Sequence, residues 1–184
     1  MFFNKNKKLA FITMPKCASI SVAAFLLPNQ FKKLSHSKLV NHHHIKYLDA
    51  VNLYPNLVNY KKYAVFRNPL TKFVSAANHV RNITLPSNYD YFAKNISSFK
   101  GFEGTLFAPQ VEFLKESNSS LIDFDNLKNQ IAEVFEFDPN GLDFPYLNKT
   151  TVERPAISSY VESFVRDYYA ADYEFAKNAL GKEY

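Results

Sequence analysis

The stretch Lys8-Leu9-Ala10-Phe11-Ile12-Thr13-Met14-Pro15-Lys16-Cys17-Ala18-Ser19-Ile20-Ser21-Val22-Ala23-Ala24-Phe25-Leu26-Leu27 decides how this chain folds. Lys8 to Thr13 is short and largely apolar, the pattern of a buried strand. Pro15 punctuates it. Ser19 to Leu27 then reads as a helix, with Ser19 near its N-cap and Pro28 beyond its end. A strand that turns straight into a helix is the building unit of an α/β sheet. The turn itself, Met14 to Ser21, lies where backbone N–H groups and the positive end of a helix dipole hold phosphate.

The same unit recurs further along. Lys62 to Phe66 reads as a second buried strand, and Arg67-Asn68-Pro69 leads into a helix from about Leu70 to Val80, with Pro69 suited to the first turn. Ser120 to Phe124 is a third strand, followed by Asp125 as N-cap and a helix to about Phe135. Three such units predict an α/β protein with a P-loop-like, three-layer fold, in which a short parallel β-sheet is flanked by helices. Ile157 to Leu180 is expected to be helical, with Val161, Phe164, Val165, Tyr168, Phe175, Ala176 and Ala179 on one apolar face. Ile83 to Ser98 has weak periodicity and reads as loop or short helix. No internal repeat or low-complexity linker is present.

Bulk properties narrow the class. The 184 residues favour a single domain spanning 1–184. Eighteen Phe and twelve Tyr against no Trp mean that aromatic side chains must fill much of the core. Four Gly argue against a hairpin-dense all-β fold. The one Cys cannot close an intramolecular disulfide, which points to a reducing compartment. No apolar run is long enough to span a membrane, and Leu9 to Met14 is too short for a secretory leader, so a cytoplasmic location is expected. The sequons at Asn82, Asn95, Asn118 and Asn148 then read as by-products of an Asn-rich composition. The formal charge of +5 suits an anionic ligand without choosing among them.

The turn after the first strand is not a Walker loop. That motif needs Gly-x-x-x-x-Gly-Lys-Ser/Thr, whereas here no Gly is present and Lys16 precedes the turn. Arg67 stands at a strand carboxyl end, the edge where open α/β sheets place ligands, and its guanidinium can fork onto phosphate oxygens. Ser75 follows two helical turns later.

Together these segments resemble the sulfotransferase superfamily, whose donor is 3′-phosphoadenosine-5′-phosphosulfate (PAPS). Pro15, Lys16, Ala18, Ser19 and Ser21 match its 5′-phosphosulfate loop, with Cys17 and Ile20 where the family often carries Thr. Arg67-Asn68-Pro69 and Ser75 match its 3′-phosphate motif, with Lys72 in place of the more usual Arg. Within the superfamily the chain is most similar to the uronyl/heparan 2-O-sulfotransferase type. His42-His43-His44-Ile45-Lys46-Tyr47-Leu48-Asp49 resembles that group's His-x-His-x-x-Tyr-Leu-Asp segment. Leu147 to Thr151 resembles its late Lys-Thr-Thr segment, and the Tyr-rich stretch from Asp167 to Phe175 its closing helix. Pro109-Gln110 is similar to a Pro-Gln pair common in these enzymes.

The resemblance implies transfer of the sulfuryl group of PAPS to a hydroxyl of a carbohydrate or related small acceptor. Its donor contacts would be Lys16, Cys17, Ala18, Ser19, Ile20, Ser21, Arg67, Ser75, Lys149, Thr150 and Thr151. In-line displacement asks the site to position both partners and stabilise charge on the oxygens, a role for Lys16 and the loop N–H groups. The acceptor hydroxyl needs a base, and imidazole titrates in the right range. His44 is favoured, with His42 as its partner or a substrate contact; the run of three His also reads as an exposed polar turn. No metal, nucleic acid or membrane span is called for. Two alternatives stay open: a module that binds PAPS or its product, 3′,5′-adenosine bisphosphate (PAP), without transfer, and a P-loop kinase, which the Gly-free loop disfavours.

Overall fold

The computed structural model describes residues 1–34, 44–84, 88–136, 138, 140, 143–145 and 155–184, with the backbone alone for 81–84. In chain order the strands and helices are β1 Phe2–Asn4, β2 Leu9–Ile12, α1 Ser19–Leu26, β3 Lys32–Lys33, α2 Tyr47–Leu53, β4 Lys61–Phe66, α3 Pro69–Thr84 and α4 Tyr89–Lys94. They continue as α5 Gly101–Phe107, α6 Val111–Leu114, β5 Ser120–Asp123, α7 Leu127–Phe135, α8 Ser159–Tyr168 and α9 Ala170–Leu180. The chain divides into two compact units, Met1–Phe66 with Gln110–Lys149, and Arg67–Pro109 with Thr150–Tyr184.

The first unit holds a five-stranded sheet in the order β3-β1-β2-β4-β5, flanked by helices. The three strands expected from sequence, β2, β4 and β5, are its parallel part, with Ile12 opposite Ala64 and Val65 opposite Ile122. Ala10, Phe11, Ile12 and Tyr63 to Phe66 are all buried, the unbroken burial of strands covered on both faces. Phe25 of α1 packs on Phe135 of α7 and on Phe144, and Phe31 meets the same Phe135 edge-on. The expected aromatic core is found there.

Two strands add to the expected sheet. β1 pairs antiparallel with both β2 and β3, extending the parallel part by a hairpin. Its turn needs no glycine, because the Asn4 side chain accepts from Lys7 N–H at 2.9 Å and Lys8 adopts φ 50°. Asp125 does not cap the third helix. A 3-10 turn over Phe124–Asn126 intervenes, and Asp123 accepts from Asp125 N–H instead.

The second unit is helical and built around Phe73, Val80, Phe92, Phe107, Val161, Val165 and Tyr169. Ile96–Ser98 forms a 3-10 turn after α4, so the weakly periodic stretch holds two short helices, as expected, while its first residues, Ile83 and Thr84, close the longer α3. The carboxyl-terminal segment breaks into α8 and α9 at Tyr169. Its hydroxyl donates to the Phe107 carbonyl at 2.6 Å, and the ring is fully buried. Tyr168, expected on the apolar face, is 40% exposed; the break hands its place to Tyr169.

Lys72 is buried in this unit. Its ammonium donates to the Leu106 and Ala108 carbonyls at 3.2 and 2.8 Å and lies over the Tyr169 ring, 5.2 Å from the centroid. It therefore ties α3 to the carboxyl end of α5. Its place in the motif, where the resemblance has Arg more usually, gives no sign of this inward role.

Burial, followed by the charges of Tyr168, Asp172 and Tyr173, raises the Tyr169 phenol well above its ordinary value. Above about pH 10 the unfolded chain then holds fewer protons than the folded one, so stability falls as pH rises. Tyr169→Phe is expected to flatten that alkaline loss while costing about 1 kcal/mol near neutrality, as read by urea unfolding at both pH values. Lys72→Met keeps the stem but strips two buried carbonyls of their donor. A loss of about 3 kcal/mol is expected, against no resolvable loss for Lys61→Met on the exposed start of β4.

Candidate functional site

Parallel β2 and β4 end side by side, and both lead into turns that open a helix. The first turn runs from Thr13 to Ala18. Lys16 and Ala18 both sit in the left-handed region, at φ 62° and 55°. For residues with a Cβ this costs about 1 kcal/mol each, so surrounding contacts must hold the turn.

Cys17, between them, supplies such contacts. Its side chain is 2% exposed, and the single S–H of its thiol is shared between the Pro15 carbonyl at 3.4 Å and Gln110 Oε1 at 3.1 Å. Cys17 is thus an anchor beneath the turn. Lys16, Ala18 and Ser19 are half-buried, Ile20 is exposed and Ser21 is buried.

Ala18, not Ser19, occupies the N-cap of α1, and its methyl side chain makes no capping bond. Nor does an acidic residue stand in the first turn. Backbone N–H groups and the helix dipole there favour an anion. The wider field agrees: eight Lys and no Asp or Glu precede Asp49. The turn fits a phosphate- or sulfate-like group without glycine.

His44 comes to the same region, its Nδ1 3.1 Å from the Thr13 carbonyl oxygen. A carbonyl only accepts, so Nδ1 carries the hydrogen and, in the neutral ring, Nε2 is the basic nitrogen. Two residues on, Lys46 pairs with Glu112 at 2.6 Å across the surface. His42, Lys149, Thr150 and Thr151 lie outside the described residues.

In the second unit Arg67 donates from Nε to Thr71 Oγ1 at 3.1 Å. Thr71 in turn donates to the Asn68 carbonyl, and its own N–H reaches Asn68 Oδ1, both at 3.1 Å. Asn68 thus caps α3, Pro69 fills the first helical position, and Thr71 orients the guanidinium. Thr71 and half-buried Ser75 are four residues apart, on one face of α3.

Thr71 and Gln110 are the residues that sequence reading passes over. Thr71 could have been found from its place four residues after Arg67. Gln110 carried only the signal of the Pro-Gln pair, with nothing to link it to Cys17. Among the described residues no three His, Cys, Asp or Glu side chains gather as a metal site. No helix among them is long and apolar enough to cross a membrane.

No family model and no curated protein matches this sequence. Among solved structures, the fold is similar to that of a sulfotransferase from Alicyclobacillus acidocaldarius, with a TM-score of 0.51 and 13% sequence identity over 96% of each chain. At that identity the likeness is one of fold, and the fold is sulfotransferase-like.

Proposed function

We propose that this chain is a sulfotransferase that moves the sulfuryl group of PAPS to a hydroxyl of a carbohydrate or related small acceptor. The observation that carries this reading is the Gly-free turn Thr13–Ala18, with Lys16 within it, opening onto a helix that has alanine at its N-cap and no acidic residue in its first turn, in a sulfotransferase-like fold. The His42–Asp49 segment adds the resemblance to the uronyl 2-O-sulfotransferase type. The single buried thiol suits a reducing cytoplasm.

In this reading Lys16 and the N–H groups of Cys17 to Ser21 hold the 5′-phosphosulfate. Arg67 and Ser75 hold the 3′-phosphate, and Lys149, Thr150 and Thr151 close on the nucleotide. The donor supplies an activated sulfur–oxygen bond to the 5′-phosphate. The acceptor oxygen attacks sulfur, that bond breaks, and PAP leaves. His44 takes the hydroxyl proton at Nε2 while the Thr13 carbonyl holds Nδ1–H in place. Lys16 and the α1 terminus act where charge develops on the bridging and nonbridging oxygens. His42 is the second candidate, as partner of His44 or as an acceptor contact.

The reading is tested with PAPS labelled in its sulfuryl group and a panel of mono- and polysaccharide acceptors. Label should move to an acceptor with one PAP released per transfer. Lys16→Ala is expected to lower kcat about a hundredfold or more. His44→Asn should lower the rate about a hundredfold. Arg67→Ala should weaken PAP about tenfold or more and leave AMP binding unchanged. PAP binding with no transfer to any acceptor, indifferent to His44→Asn, would reduce the protein to a nucleotide-binding module. Equal effects of Arg67→Ala on PAP and AMP would remove the 3′-phosphate assignment.

A further inference from the structure

Resting on that reading of the donor loop, we propose that Gln110 is the positioning residue of the loop, acting through the Cys17 thiol. Gln110 is fully buried, and its Oε1 accepts from Cys17 Sγ at 3.1 Å across a sequence separation of 93 residues. Lys16 and Ala18, on either side of Cys17, hold left-handed conformations that glycine would adopt without strain. Neither is glycine, so the turn keeps its shape by being pinned at its middle residue. The pin has two ends. One is the Pro15 carbonyl within the turn; the other is Gln110, just before α6.

Gln110 touches no substrate atom in this account. What it sets is the direction of the N–H groups from Cys17 to Ser21 and the place of Lys16. Its neighbour Glu112 provides the contrast. The Lys46–Glu112 pair is about half exposed on both sides, so it contributes little to holding the segment.

The test compares Cys17→Ala, Cys17→Ser, Gln110→Leu and the Cys17→Ala/Gln110→Leu double variant, with Glu112→Gln as control. PAP affinity is measured by calorimetry, and amide exchange at residues 17–21 is followed without ligand. Cys17→Ala, which removes both ends of the pin, and Gln110→Leu, which removes one, should each weaken PAP about tenfold, and the double variant by no more than Cys17→Ala alone, because the thiol that Gln110 acts through is already gone. Cys17→Ser keeps a donor and should stay within about twofold of the wild type, as should Glu112→Gln. Loop exchange should speed up in Cys17→Ala and Gln110→Leu alone. Wild-type affinity in Cys17→Ala, or additive losses in the double variant, would overturn the assignment. Should Gln110→Leu fail to fold, Cys17→Ala read against Cys17→Ser decides. Should the wild-type chain not bind PAP, the donor-site reading falls by itself; the exchange rates still judge Gln110, and unchanged rates would overturn its role.

Discussion

The turn from β2 into α1 has to reverse the chain tightly, present backbone N–H groups to one side and do so without glycine. Lys16 and Ala18 meet this demand by entering the left-handed region, and Cys17 meets its cost by burying its thiol against the Pro15 and Gln110 acceptors. The strain of two non-glycine residues, about 2 kcal/mol together, is comparable to what burying the Cys17 side chain with its one shared S–H hydrogen bond returns. The α1 terminus depends on this balance, and so does the place of Lys16. A looser turn would spread the same donors over many directions.

Electrostatics act on two scales around that turn. Locally the α1 terminus carries the helix dipole with no acidic side chain against it. Over a longer range the chain as a whole carries a formal charge of +5. His44 uses the same backbone in the opposite sense. The Thr13 carbonyl, at the end of β2, selects its tautomer and so decides which nitrogen is basic. One strand end thus leads into the candidate anion-binding turn and orients the candidate base.

Much of this was legible in the residues. β2, β4 and β5 are runs of apolar residues long enough to announce buried strands, and Pro15, Pro28 and Pro69 mark where helices begin or end. The hairpin strand β1 was not, since Asn4 and Lys8 make its turn without the Gly that usually signals one. The break at Tyr169 was hidden for a related reason. Tyr168 and Tyr169 are the same residue type, and only the fold tells which one is buried against the Phe107 carbonyl. Lys72 shows the limit of motif reading: a basic residue at a motif position says nothing about whether it faces a ligand or two carbonyls. Gln110 lies too far from Cys17 in sequence for any local pattern to join them.

The account stands or falls on whether the β2–α1 turn receives the 5′ end of a 3′-phosphorylated adenylate. The most direct measurement is a backbone amide titration of isotopically labelled protein with PAP. Saturable shifts centred on Cys17, Ala18, Ser19, Ile20 and Ser21, appearing together with shifts at Arg67 and Ser75, are the predicted result. Saturation of PAP that leaves the amides from Cys17 to Ser21 unmoved would contradict it.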